Sequence, residues 1–192
     1  MRLDPEKIRG ILTPHVREGE QKPHVSELLY RVPPFLKGKA APRSTVEFLA
    51  GFPLFQDLEK KELSVLASLT HKRIFEDGEI VFDQGTPASA MYIIQNGAVD
   101  LSRRIGGSDG ILATLGPGEF FGELALFQED THRWLSAQSR GRSELLALSR
   151  PDFDTLMARS PVAGMKLLRV LASLTAQRFV MLLEAVDGGS QK

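Results

Sequence analysis

The sequence contains no cysteine, which excludes disulfides, thiolate nucleophiles and cysteine-based zinc sites. It also lacks a charge bias. Lysine plus arginine total 24 and aspartate plus glutamate total 24, a formal net charge of zero. A protein built for broad contact with nucleic acid or anionic lipid carries a basic excess, so neither is expected as a partner. No run approaches the roughly 18 apolar residues of a membrane span. The N-terminus, Met-Arg-Leu-Asp-Pro-Glu-Lys, has no apolar core of a secretory signal, and a cytoplasmic location is expected. Catalytic signatures are missing too. Neither a P-loop Gly-Lys-Ser/Thr nor a Gly-x-Ser-x-Gly elbow occurs. His15, His24, His71 and His132 show no metal-ligand spacing, and the carboxylates are too scattered for paired acid–base work. Gly116-x-Gly118-x-x-x-Gly122 misses a dinucleotide fingerprint by one residue and has no βαβ unit around it. No enzymatic activity, cofactor or metal is expected.

What is present is 192 residues, 42% apolar and 25% charged, enough for one good core plus an extension. Residues 1–45 read as that extension. A helix start at Asp4-Pro5 carries Ile8, Ile11, Leu12 and Val16 on one side, and a linker rich in proline and basic residues follows. The linker is either a solvated spacer or an arm that docks through Leu28, Leu29, Tyr30 and Phe35. Residues 46–160 form the main domain. Val46–Leu49 and Leu58–Leu69 read as short helices. Short β-like runs then alternate with turn signals: Ile74-Phe75, Ile80–Phe82, Met91–Ile94, Val99–Leu101, Ile111–Ala113 and Leu145–Leu148. This is the pattern of an antiparallel barrel or sandwich. Asn96-Gly97 predicts a hairpin turn, because both positions of that turn need positive φ. Gly106-Gly107 marks another turn.

Residues 161–192 read as a helix and a frayed tail. Leu168, Leu171, Ala172, Thr175, Phe179, Leu182 and Val186 form one stripe over 161–186, with Leu167, Val170, Leu174 and Met181 beside it. So wide an apolar face usually serves two surfaces, its own domain and either a second copy or a protein partner; the alternative is that packing within the chain alone accounts for it.

The densest polarity lies between Gly118 and Ala137. Gly122 permits close approach of backbone to a ligand. Glu123–Leu126 reads as a first helical turn whose free N–H groups favour an anion. Arg133 offers a planar fork for phosphate oxygens. Ser136 adds a hydroxyl, and Glu123 an acceptor for a sugar hydroxyl. Together they describe a cradle that holds a small phosphorylated ligand and does no chemistry on it.

The runs Phe52–Phe55, Glu62-Leu63, Gly78-Glu79, Gln84-Gly85, Met91–Ile94, Gly97–Val99 and Gly116–Leu126 closely resemble the cyclic nucleotide-binding domain, in order and spacing, over about residues 46–185. This is the domain of bacterial catabolite activators and protein kinase A regulatory subunits. The resemblance implies an α+β fold, mainly β: an eight-stranded jelly-roll β-roll flanked by helices. It also implies cyclic AMP or cyclic GMP as ligand. Phe121, Gly122, Glu123, Leu124, Ala125, Arg133, Trp134 and Ser136 would form the site. Glu123 would take the ribose 2′-hydroxyl and Arg133 the cyclic phosphate, with backbone N–H groups near Leu124, Ala125 and Trp134. In catabolite activators a helix-turn-helix follows the long helix. This chain ends where it would begin, so direct DNA binding is not expected.

One departure stands out. Trp134 and Leu135 follow Arg133 where the family has small residues. The indole either stacks on a purine or fills the cavity with its own bulk. Two functions follow: a stand-alone sensor signalling through its C-terminal helix, or a ligand-free scaffold for protein contacts in which Glu123 and Arg133 close the pocket as an internal ion pair.

Overall fold

The Ser44 hydroxyl accepts a hydrogen bond from the Glu47 N–H at 3.2 Å, an N-cap that sets the start of helix α1 (Thr45–Ala50). The computed structural model describes residues 44–105 and 108–189. The extension expected over 1–45 falls outside them except for Ser44 and Thr45, as do the Gly106-Gly107 turn and the end of the tail. After a 3-10 turn at Pro53–Phe55, a capping box of Glu59 and Glu62 opens α2 (Lys60–Ser68).

Six strands follow among the described residues: β1 (His71–Phe75), β2 (Ile80–Phe82), β3 (Ala90–Ile105), β4 (Ser108–Leu115), β5 (Phe120–Phe121) and β6 (Ser136–Ser149). All pairings are antiparallel, in the order β1-β6-β3-β4, with β2 on β6 and β5 on β3. A four-residue 3-10 helix, Glu123–Leu126, lies between β5 and β6. Ser149 caps α3 (Arg150–Arg159), which has proline in its first turn. The last helix is α4 (Pro161–Gly189). The mainly β roll with flanking helices agrees with the expectation. Among the described residues the count is six strands rather than the expected eight, because β3 and β6 run 16 and 14 residues without a break.

The Asn96-Gly97 hairpin is also corrected. The chain does not reverse there but continues along β3, with Gly97 at φ +82° and shifts of register against β6 on either side of Asn96. This is a bulge, and it changes the phase of the strand. Before it, Tyr92 and Ile94 face the interior of the roll; after it, Val99 and Leu101 do. Met91 and Ile93 point the other way, into a second cluster shared with the helices. A positive-φ residue suits both a two-residue turn and a bulge, and the dipeptide does not distinguish them.

The two cores divide the labour. Ile94, Val99, Leu101, Leu115, Phe121, Leu135, Ala137 and Leu145 fill the roll. Phe52, Phe55, Leu66, Met91, Ile93 and Leu146 fill the layer under the helices, where Leu156 on α3 and Leu167 and Leu171 on α4 join them. The domain-facing side of α4 thus takes Leu171 from one stripe and Leu167 from the other, with Val170 and Leu174 packed beside them, and Phe179 is left 60% exposed. Lys166 Nζ bonds Glu62 Oε2 at 2.8 Å, tying α4 to α2.

Gly97 is the fold's most confined glycine on a strand. A Cβ there would lie 2.4 Å from Ser143 Oγ and 2.7 Å from Ser143 Cα. Gly97→Ala is expected to destabilise the fold by about 1–3 kcal/mol. The check is a lower urea midpoint at unchanged m-value; an unchanged midpoint would contradict the bulge as drawn.

Candidate functional site

Phe121 pairs with Tyr92 of β3, and the chain then turns sharply at Gly122, φ +77°. This glycine is required twice. The left-handed backbone disfavours a side chain, and a Cβ would come within 2.6 Å of Arg133 Nη1 and 3.1 Å of the Ala90 carbonyl oxygen. The space beside Gly122 belongs to Arg133.

Arg133 is only 6% exposed. Its Nη2 donates to the Ala90 carbonyl at 2.7 Å, and its Nη1 to the Gly122 carbonyl at 3.3 Å. Its Cζ lies 4.0 Å from the Phe82 ring centroid and 5.9 Å from that of Tyr92, a cation–π arrangement. The rings of Phe82, Tyr92 and Phe121 pack on one another beneath it. Burial lowers the guanidinium pKa, and Tyr92 and Glu123 oppose that shift. Nε is buried and has no hydrogen-bond partner. The backbone here is pinned as well. The Arg133 N–H donates to the Thr86 carbonyl and the Gly85 N–H to the Arg133 carbonyl, each at 2.8 Å.

Glu123 opens the 3-10 helix and is buried. The internal ion pair that the scaffold alternative places between Glu123 and Arg133 does not form. Glu123 Oε1 instead bonds Nη1 of Arg178, which reaches down from α4. The Arg178 guanidinium also lies 5.6 Å from the Phe120 ring. Reading the helix by its apolar positions missed Arg178. The available signal was phase: it stands seven residues after the fully buried Leu171, hence on the same face.

A cavity that opens to solvent lies between these groups. Phe121, Gly122, Glu123, Leu124, Ala125, Arg133 and Trp134 all line it, as do Phe82 and Arg178. Ser136 is not among the lining residues; its Oγ accepts from the Gln84 N–H at 2.9 Å. Trp134 does not plug the space. The indole is 64% exposed, while its neighbour Leu135 turns into the core of the roll. Among the described residues no cluster of acidic residues and histidines could hold a metal, and no helix is long and apolar enough to cross a membrane.

Residues 72–160 match the family described as the cyclic nucleotide-binding domain. The cyclic AMP receptor protein of Thermus thermophilus is 38% identical over 125 residues, which are 65% of this chain and 57% of that protein. The crystal structure of the Thermus thermophilus catabolite activator protein matches with a TM-score of 0.64 at 36% identity, over 72% of this chain and 63% of that one. The N-terminal domain of a transcriptional regulator from Streptomyces coelicolor A3(2) matches with a TM-score of 0.60 at 29% identity, over 65% of this chain and 89% of that one. This chain thus spans little more than half the length of its Thermus thermophilus sequence relative.

Gly122→Ala is expected to expel the Arg133 guanidinium from its carbonyl partners and cost about 1–3 kcal/mol of stability. Thermal unfolding checks the cost. Combining it with Arg133→Ala should give less than the sum of the two single losses, since the two groups share one space. Full additivity would contradict the contact.

Proposed function

Because residues 72–160 belong to the cyclic nucleotide-binding domain family, we propose that the chain is a non-enzymatic sensor that binds cyclic AMP or cyclic GMP in the cavity beside the 3-10 helix. The observation that carries this reading is the Arg133 Nε, buried without an acceptor. An orphaned donor costs about 1–3 kcal/mol. A phosphate oxygen would remove that cost and add a charge-assisted bond. The aromatic layer behind Arg133 keeps the guanidinium from relaxing away from the cavity. Glu123 would accept a ribose hydroxyl. Its pair with Arg178 engages Oε1, and a carboxylate has two oxygens, so Oε2 serves the sugar.

Signalling would run through α4. Arg178 places that helix in contact with the cradle, so a nucleotide touching Glu123 interacts differently with different positions of the helix. Differential affinity of this kind is what shifts a conformational equilibrium. The outer side of α4 carries Val162, Met165, Phe179 and Val180, each about half exposed or more. That side suits a second copy of the chain or a protein partner. The name of the Thermus thermophilus relative, a cyclic AMP receptor, favours cyclic AMP.

The scaffold reading has one observation in its favour. The Ala90 and Gly122 carbonyls and Arg178 satisfy much of the cradle from within the protein.

Calorimetric titration with cyclic AMP and cyclic GMP separates the two. The sensor reading expects micromolar binding by the native chain. Arg133→Lys keeps the charge but loses the fork, and should weaken binding roughly tenfold or more; Arg133→Ala should abolish it. Circular dichroism of both variants guards against simple unfolding. No heat and no thermal shift up to millimolar ligand would leave the scaffold.

A further inference from the structure

Trp134, which lines the cavity, and Arg103, which lies beside its ring, are not used by the cradle. Trp134 lines the cavity yet is 64% exposed, so the ring contributes little burial to the fold. Arg103 stands two residues beyond Leu101 on β3, in the same inward phase, and its Cζ lies 6.0 Å from the indole centroid. Its Nε, like that of Arg133, is buried without a hydrogen-bond partner. An open aromatic surface beside a cation with an unmet donor adds little to stability. It suits a planar heteroaromatic base, which offers a π-face to stack and ring nitrogens or carbonyls to accept hydrogen bonds. Trp134 is also the chain neighbour of Arg133, on backbone pinned at Gly85 and Thr86. Phosphate fork and indole are therefore held at a fixed separation.

We propose that Trp134, supported by Arg103, is the base-recognition platform of the site. It stacks on the base of the bound nucleotide and makes the site selective for cyclic phosphates that carry a planar heteroaromatic base. The inference rests on the cyclic nucleotide reading of the cavity. Stacking on an aromatic side chain corresponds to about 5- to 150-fold in affinity.

Trp134 is the only tryptophan in the sequence, so its fluorescence reports on the platform without labelling. The probes are cyclic AMP and ribose 3′,5′-cyclic phosphate, titrated by calorimetry and by fluorescence against the native chain, Trp134→Ala and Trp134→Phe. Expected is quenching by cyclic AMP, about 5- to 150-fold weaker binding of it by Trp134→Ala, and substantial recovery in Trp134→Phe. The base-free compound should bind the native chain about 5- to 150-fold more weakly than cyclic AMP does. Equal binding of cyclic AMP by the native chain and Trp134→Ala, with no fluorescence change, would overturn the platform and leave the nucleotide site standing. Binding of neither probe by the folded native chain would overturn both.

Discussion

A buried cation without a carboxylate of its own organises this protein. Among the described residues Arg133 forms no ion pair; two backbone carbonyls and the face of Phe82 hold it instead. Burying a charge is costly unless it is closely solvated by protein groups. Several local features of the sequence serve that need. Gly122 supplies a carbonyl and leaves room where any side chain would collide. Ala90, the first residue of β3, supplies the other carbonyl. The Gly85–Ala88 loop locks the Arg133 backbone by two hydrogen bonds. Phe82, Tyr92 and Phe121 form the floor. The six-stranded roll is the frame that brings these distant segments to one point.

The second constraint links the roll to its last helix. Leu167 and Leu171 root α4 in the core, Lys166 ties it to α2, and Arg178 meets Glu123. Of these residues, Arg178 lines the cavity. In the proposed sensor, a change at Glu123 would reach α4 through Arg178.

Much of the roll was legible in the sequence, because short apolar runs between turn residues have few alternatives. Ile80–Phe82 emerged with the bounds read from sequence, and Leu145–Leu148 lies inside β6. Asn96-Gly97 misled because its signal is local φ, whereas reversal or continuation depends on strand pairing with β6 far along the chain. The grouping of Gly122, Glu123 and Arg133 around the cavity was legible, since they lie on one short segment. Arg178 was not, because its partner is 55 residues away, and its phase seven residues after Leu171 says only which face it shares, a fact that points inward once Leu171 is known to be buried. The direction of Trp134 was equally hidden. Two adjacent apolar residues entering a strand must point to opposite sides, and only the packed core shows that Leu135 took the inside.

The central claim is that the buried Arg133 Nε waits for an acceptor that a cyclic phosphate supplies. Its most direct test is proton–nitrogen NMR of the arginine Nε–H groups, with the Arg133 signal assigned by its loss in Arg133→Lys. On saturation with cyclic AMP that signal should move to a markedly higher proton shift and exchange more slowly with water, as a new charge-assisted bond forms. If the signal stays in place up to millimolar ligand, Arg133 is a structural cation only and the cavity has another purpose.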